Sequence, residues 1–471
     1  MEISVVGTGY VGLLTAACLA EVGHRVRCVD KEAGKVASLL AGKIPFFEPQ
    51  LDSLVNAGVE SGLLSFTSSL DDGVRNAHLV FLAIGTPASP DGHADLGNLM
   101  QCVYQLAGLL AGRVVVAVKS TVPVGTCERI QGIFDEGARV EAVTAEVCVA
   151  SNPEFLSEGH AVNNFRHPDR IVIGAGPGMA RDVLQMLYAA FDPTGDKVVT
   201  MDIRSAEFAK YACNAMLAAR VSMANELAGI AAQCDVDIES VCHVMRTDPR
   251  IGAHYLQPGA GYGGSCLPKD LRALISMANA RGEPAYLLRS IERVNERQHQ
   301  LLLETVRAEF AGGLRGRCIA VWGLAFKAGT DDVRAAPSLV LIRELLAAGA
   351  RVQAYDPVAS HVVRLLVSDP GLSLGRTAYE VCTRADALVV MTECEEFARP
   401  DFALLADQLA CRLVFDARYL YEPQEVERHG LVYRRNTVNT QQKSEGELWT
   451  TDNIIKPREA ASQTRMRRGK L

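Results

Sequence analysis

One stretch near the start constrains this chain more than any other. Ile3–Val6 is a short apolar run, Gly7-Thr8-Gly9-Tyr10-Val11-Gly12 follows it at once, and Val11–Val22 then carries an apolar helical pattern. A strand that passes into a helix through such a turn opens a βαβ unit. Gly7 permits the tight turn, Gly9 lets a pyrophosphate approach the backbone, and Gly12 lets helix and strand pack closely. The helix N-terminus then faces the phosphates with free N–H groups and a favourable dipole. Asp30 closes the next apolar run, Arg25–Val29, within the ~20-residue interval that a dinucleotide fold requires. A carboxylate there accepts from both ribose hydroxyls and repels a 2′-phosphate, so NAD is favoured over NADP. A glycine turn with a chance acid is the plainer alternative, and it needs four features to coincide.

The alternation continues. Leu79–Ile84 and Val114–Lys119 are further buried runs, and Val147–Ala150 and Arg170–Ile173 extend the series, which predicts a parallel sheet with helices on both faces. From Ser205 to Ser240 the pattern is helical and alanine-rich, and Pro284–Glu309 is a second long helical stretch. Such a block suits a connector or a dimer interface. Gly312, Gly313 and Gly316 mark a boundary, after which Cys318–Trp322, Ser338–Ala348 and Arg351–Ala354 read as a second βαβ unit, with Ala387–Met391 and Leu413–Asp416 as further strands. The expected architecture is α/β: two Rossmann-like doubly wound domains, 1–200 and 313–438, joined by a central helical domain, 201–312. The segment 439–471 is polar, ends in a basic run and predicts a disordered tail.

Composition excludes several classes. A net charge of −7 argues against a nucleic-acid partner. The 13 cysteines are scattered with no C-x-x-C pair, so neither a metal site nor a disulfide framework is expected. The N-terminus has no charged segment and cleavage site, and the apolar stretch Ala212–Ala232 is broken by Asn214, Arg220, Asn225 and Glu226. The expectation is a cytoplasmic protein without membrane insertion.

The strongest local signal is Gly261-Tyr262-Gly263-Gly264-Ser265-Cys266-Leu267-Pro268-Lys269-Asp270. Its glycines let backbone come close to a ligand. A cysteine followed by a cation and a carboxylate is placed to become a thiolate with an acid–base partner beside it. Taken singly, it could equally be structural. Lys210 and Asn214, four apart on a predicted helix, project from one face, where together they could hold an alkoxide or a water. Glu154 and Glu158 follow Ser151-Asn152-Pro153 at a predicted helix start. A solvated helix face and ordinary N-terminal acids are the bland accounts of these two clusters.

In these residues the chain resembles the UDP-glucose 6-dehydrogenase family, within the wider UDP-glucose/GDP-mannose dehydrogenase superfamily. The resemblance runs from Met1 to about Tyr433. It is carried by GTGYVG, IPFFEPQL (44–51), GTP (85–87), KSTVPVGT (119–126), SNPEFLSEG (151–159), EFAKYACNAMLA (207–218), DPRIG (248–252), GYGGSCLPKD (261–270) and GLAFKAGTDDVR (323–334).

The resemblance implies a twofold oxidation of a nucleotide sugar's C6 alcohol by two NAD, without a metal. The aldehyde is captured by Cys266 as a thiohemiacetal, oxidised to a thioester and hydrolysed. Lys210 and Asn214 take the role of oxyanion partners, with Lys210 or a water accepting the alcohol proton. Asp270 orients Lys210 or that water. Glu154, with Thr121, positions the hydrolytic water. The implied cofactor contacts are Gly7, Gly9, Tyr10, Val11, Gly12, Asp30, Lys35, Thr86, Thr121, Glu158, Lys269 and Arg334. The implied sugar-nucleotide contacts, beyond Glu154, Lys210 and Asn214, are Phe155, Leu156, Tyr255, Leu256, Gly263, Lys327 and Arg418. Arg250 resembles an arginine that reaches the substrate across a subunit interface, so a homodimer with UDP-glucose as substrate is expected.

Ala417 stands where the family has glycine before the arginine, and Ala336 where serine is common before Pro337. Four other activities compete. A GDP-mannose 6-dehydrogenase shares the chemistry, but the TVPVGT and DPRIG segments fit the UDP-glucose branch better. The Lys269-Asp270 pair after Cys-Leu-Pro disfavours an N-acetylated sugar. A single-step hydroxyacid dehydrogenase has no use for Cys266. A catalytically silent binder of NAD or sugar nucleotide is expected to lack Cys266, Lys210 or Asp270, and all three are present.

Overall fold

Two sheets carry the architecture, and each grows outward in both directions from its first strand. The computed structural model describes residues 1–140 and 145–436. The first sheet contains β1 (Glu2–Val6), β2 (Arg25–Val29), β3 (Leu64–Thr67), β4 (Leu79–Leu82), β5 (Arg113–Val118), β6 (Glu146–Ser151), β7 (Ile171–Gly174) and β8 (Val198–Met201). Their spatial order is β3-β2-β1-β4-β5-β6-β7-β8. The second contains β9 (Cys318–Trp322), β10 (Arg351–Tyr355), β11 (Leu372–Leu374), β12 (Ala387–Val390), β13 (Leu413–Asp416) and β14 (Val432–Arg435), in the order β11-β10-β9-β12-β13-β14. The chain switches direction between β1 and β4, and again between β9 and β12. In an open parallel sheet the crevice beyond the strand ends at such a point is where ligands bind. Register aligns the mouth of the first crevice: Val6 pairs with Val29 on one side and Leu82 on the other.

Every strand expected from a buried apolar run is present. The four that no run announced are β3, β8, β11 and β14, and all four are edge strands. One expectation is corrected: β7 does not continue the parallel series. It meets β6 antiparallel through Ser151 and Gly174, and β8 is parallel to β7, so these two strands oppose the other six. An antiparallel return needs no crossover helix. The connection accordingly stays at one end of the sheet as a loop and the short helix Ala161–Arg166.

The block between the sheets is helical, but the stretch expected to run unbroken to Ser240 is two helices. Ile203–Gln233 spans 31 residues, about 46 Å at 1.5 Å per residue. It ends at Cys234 and Asp235, the latter left-handed with φ 53°. Asp237 then caps the helix Ile238–Thr247 by accepting from the N–H groups of Glu239 and Ser240, a role in which a short acceptor side chain outcompetes helix continuation. Leu267–Asn279 and Tyr286–Ala308 pack on the long helix. Its small residues Ala215 and Ala218 let Leu271, Leu274, Ile275 and Ile291 close around Tyr211. This packing fixes the axial rotation of the long helix and so decides where Lys210 and Asn214 point. Among the described residues no helix is long and apolar enough to cross a membrane. The expected tail, 439–471, lies outside the described residues.

Candidate active site

The glycine turn has the shape that its sequence requires. Gly7 sits at φ +100°, and a Cβ there would lie 2.6 Å from the Ala83 carbonyl oxygen. A Cβ on Gly12 would lie 1.8 Å from the Gly7 oxygen. Gly9 faces open space, with nothing within 4 Å of where a Cβ would stand. No side chain caps the helix Tyr10–Glu21. Its first N–H groups therefore remain free beside a cavity of about 910 Å³ lined by Gly7, Gly9, Asp30, Lys35, Gly85 and Pro87, among others. Asp30 accepts from the Thr8 N–H (3.0 Å) and hydroxyl (2.6 Å), from the Glu32 N–H, and from Lys35 (2.9 Å). Burial opposes its charge, but these donors prevail and hold it at about 2. Thr86 reaches the neighbouring strand end by donating to the Thr121 carbonyl at 2.7 Å. An open cradle, free helix N–H groups and an ionised acid at the β2 end fit a dinucleotide.

Cys266 immediately precedes Leu267–Asn279 and opens on a second cavity, of about 620 Å³. The glycines before it act differently from expectation. Gly263 does line the cavity, but its missing Cβ makes room for protein, since it would lie 2.3 Å from the Ala335 oxygen. Gly264 likewise makes room for the ring of Phe326. The loop is thus pressed onto the second sheet's domain, which brings Lys327 and Arg418 to the same cavity.

The thiol is partly accessible from the cavity and otherwise surrounded by protein. Burial, followed by Glu154, pushes it up, while Lys210 pulls it down. Burial thus opposes the thiolate expected from its sequence neighbours, and Lys210 favours it. Lys269, the cation adjacent in sequence, is turned onto Asp270 at 2.5 Å, and Lys210 is the cation that answers the thiol.

Lys210 and Asn214 do share one face, and they line both the thiol cavity and an adjoining one of about 640 Å³. Lys210 pairs with Glu154 at 3.0 Å, with 4 % and 9 % of the two side chains exposed. Burial works against both charges, yet each is held charged by the other: Glu154 is lowered and Lys210 raised. Asp270, fully buried, accepts from Asn214 Nδ2 at 2.6 Å. It therefore orients Asn214 rather than Lys210. Glu154 and Glu158 lie in a loop rather than at a helix start, and Glu154 accepts from its own loop at Leu156 N–H, 2.6 Å away.

The other expected residues divide between the cavities. Phe155 lines the 640 Å³ cavity, Leu156 and Tyr255 line both, and Leu256 is buried beneath the loop. Lys327 donates to Ser157 Oγ at 2.8 Å, joining the second domain to the Glu154 loop. Arg418 donates to the carbonyls of Met391 (2.6 Å) and Phe326 (3.0 Å). Glu158 lines the thiol cavity rather than the dinucleotide one, where burial and Asp332 push it up to about 7. Arg334 lies 3.8 Å from it and pairs more closely with Asp332. Arg250 is not brought to either cavity: it is exposed and bonded to Asp248. Ala417 has no positive φ that glycine would be needed for, and Ser338 rather than residue 336 supplies the hydroxyl, donating to the Leu324 carbonyl.

Glu48, within IPFFEPQL, was not singled out, because a carboxylate between aromatic residues and a proline carries no motif of its own. Buried, it accepts from Tyr10 OH and from the N–H groups of Gly159 (2.6 Å), Ala161 (2.7 Å) and Val162 (3.3 Å). It ties the glycine turn to the Glu154 loop. Glu48→Ala is expected to leave those N–H groups without acceptors and to cost on the order of 3 kcal/mol. Urea melts should then show earlier unfolding, and a melt like that of the wild type would mean that water replaces the carboxylate.

Models of the UDP-glucose/GDP-mannose dehydrogenase family match the chain in three consecutive pieces: the NAD binding domain over residues 1–192, the central domain over 204–297, and the UDP binding domain over 320–423. A UDP-glucose 6-dehydrogenase of Pseudomonas aeruginosa is 46% identical over 438 residues, 92% of this chain and 97% of that protein. One from Rhizobium meliloti is 41% identical over 92% of this chain and 98% of its own length. Among solved structures, a UDP-glucose dehydrogenase from Pyrobaculum islandicum superposes with a TM-score of 0.83 at 36% identity, covering 92% of this chain and 96% of that one.

Proposed function

This chain belongs to the UDP-glucose/GDP-mannose dehydrogenase family, and on that premise we propose that it oxidises the C6 alcohol of UDP-glucose twice with NAD, giving the carboxylate through a thioester on Cys266. The observation that carries this reading is the meeting of Cys266, Lys210 and Asn214 in one cavity whose far wall, Lys327 and Arg418, comes from the second sheet's domain. In this division of labour 1–200 holds NAD, 313–438 grips the UDP diphosphate, and 201–312 supplies the reacting groups.

Bound NAD supplies the hydride acceptor for both oxidations. The chain supplies position, proton transfer and charge. Lys210, held charged by Glu154, faces the oxygen on which negative charge develops, and Asn214 is aimed by Asp270 at the same place. The buried thiol adds to the aldehyde carbon: an S–C bond forms, the carbonyl π pair moves onto oxygen opposite Lys210, and the thiol proton passes to that oxygen, giving the neutral thiohemiacetal. After the second oxidation water adds to the thioester carbon, gives a proton to Glu154, and the C–S bond breaks. The aldehyde is never free.

The test is the NADH formed per UDP-glucose consumed, with the sugar limiting and GDP-mannose assayed beside it. Two NADH from UDP-glucose and none from GDP-mannose are expected. One NADH would remove the thioester, and activity on neither sugar would remove the reading. Asp30→Ala is expected to raise the KM for NAD and to relax discrimination against NADP. Lys35, released from the carboxylate 2.9 Å away, then stands as a cation for the 2′-phosphate. Unchanged kinetics with both cofactors would mean that the ribose lies elsewhere.

A homodimer completes the proposal. Phe208, Met216, Met223 and Ile230 recur at spacings of eight, seven and seven along the long helix, and they are 49 %, 64 %, 52 % and 56 % exposed. An uncovered apolar stripe of this length is what a second copy would bury. Met223→Asp is expected to yield monomers in sedimentation. The free state of all 13 cysteines supports placement in the reducing cytoplasm.

A further inference from the structure

Lys119 follows β5 directly, and its side chain ends in the wall of the cavity that also holds Glu154 and Lys210. The residue is 4 % exposed. Its ammonium reaches Asn152 Oδ1 at 3.2 Å, Tyr188 OH at 3.3 Å and the Asn152 carbonyl at 3.5 Å, and all three are neutral. The rings of Phe81 and Tyr188 lie 5.7 and 5.9 Å away. The cage is fixed from outside, because Asn152 Nδ2 donates to Val172 O (2.8 Å) and the Tyr188 hydroxyl proton is committed to Asn152 Oδ1 (2.6 Å). All three contacts therefore present acceptors to Nζ. An ammonium satisfies three acceptors, and a neutral amine only two.

A cation buried among neutral groups is costly unless a counter-charge lies near. Here that charge is Glu154, two residues beyond Asn152 and already paired with Lys210. One carboxylate thus answers two buried ammonium groups. Burial pulls Lys119 down to about 8, against the attraction of Glu154. The groups that face Glu154 are Lys210 from the long helix, Cys266 from the start of Leu267–Asn279, the Leu156 N–H from its own loop, and Lys119 from the end of β5. Those around Lys119 are Tyr188 from Met179–Tyr188, Asn152, Phe81 from β4, and Lys210.

We propose that Lys119 is a positioning residue for thioester hydrolysis: held in its neutral cage, it keeps Glu154 ionised so that this carboxylate can take the proton of the attacking water. The inference rests on the Cys266 chemistry proposed above. Water's oxygen bonds to the acyl carbon, its proton passes to Glu154, and the electron pair of the breaking C–S bond returns to sulfur. Without Lys119 the carboxylate would be more easily protonated, and hydrolysis would lose its base at the acid end of the pH range.

The test has one arm without substrate and one with it. In protein carrying ¹³C-carboxyl glutamate, with the Glu154 signal identified by its loss in Glu154→Gln, Lys119→Met is expected to move the Glu154 titration to higher pH. The acid limb of UDP-glucuronate formation should move up by the same amount, and a covalent sugar-nucleotide adduct should accumulate in the intact mass. The first NADH of a single turnover should fall far less. Asn152→Asp, which gives Lys119 a carboxylate of its own, is expected to shift the limb the same way even if Lys119→Met does not fold. Tyr188→Phe, which takes one of the three acceptors away from the ammonium, should shift the limb the same way but by less. An unshifted Glu154 titration in the foldable variants overturns the inference, and so does slower hydrolysis without a shifted limb, which a purely structural role would give. A wild type that makes no acid from UDP-glucose defeats the proposed function instead, and shows itself before any variant is made.

Discussion

Cys266→Ser is expected to abolish turnover of UDP-glucose to the acid, with kcat for acid formation lowered on the order of 10³-fold or more. The thiol is the group at the head of Leu267–Asn279 that opens on the cavity, with Ser265 Oγ 3.4 Å from its sulfur. A serine at 266 fits the same space, so the change tests chemistry rather than packing. Its hydroxyl is a far weaker acid than the thiol and a poorer leaving group. The early oxidation can survive, since Lys210, Asn214 and the dinucleotide crevice are untouched, and NADH per sugar should fall below two. Quantitative acid production by Cys266→Ser would end the thioester proposal. An equally slow first hydride transfer would place the thiol earlier in the reaction than proposed.

Lys210→Met should lower kcat by about 10²–10³-fold, the usual loss when one preorganised oxyanion donor is removed. Methionine keeps the length and apolar stem, so the helix and its packing on Tyr211 and Leu271 should hold. Two consequences follow from the 3.0 Å pair with Glu154. The developing oxyanion loses its cation, and Glu154 is left buried without the partner that depresses it. A carboxylate lowered in the fold rises when that partner goes, so the acid limb of the rate profile should move to higher pH. On the proposal that Lys327 and Arg418 hold the diphosphate, the binding constant for UDP-glucose should change much less than kcat. Calorimetric titration beside steady-state kinetics separates the two. A variant with kcat within tenfold of the wild type would show that another group neutralises the alkoxide.

How much of this was legible beforehand differs by element. Strands β1, β4, β5, β7, β9, β12 and β13 are interior strands, buried on both faces and therefore written as continuous apolar runs. β3, β8, β11 and β14 lie at sheet edges, where one side meets water and the run dissolves into sequences such as LSFT and VYRR. The reversal of β7 left no trace either, because strand direction depends on where the connection lies and not on strand composition. The break at Cys234 is hard to read because the helical pattern resumes one turn later, and the cap that starts the second helix, Asp237, is a single residue.

Local chemistry was written plainly in the chain. A glycine that needs positive φ, a glycine crowded by backbone, an acid one strand later, and a cysteine between glycines and a proline are covalent facts about neighbours a few residues apart. They limit the fold to a dinucleotide-binding α/β architecture and make Cys266 a candidate reactive group. Pairing over long separations was open. Lys269 stands three residues from Cys266 yet spends its charge on Asp270, while Lys210, 56 residues away from it, is the cation that reaches the thiol. Asp270 serves Asn214, Glu154 serves Lys210 and Lys119, and Glu48 binds three N–H groups more than a hundred residues on. Side-chain charges act over a few ångströms in a low-dielectric interior. Which of several suitable partners stands within that reach is set by how helices rotate and sheets dock, and the order of residues along the chain does not encode it locally.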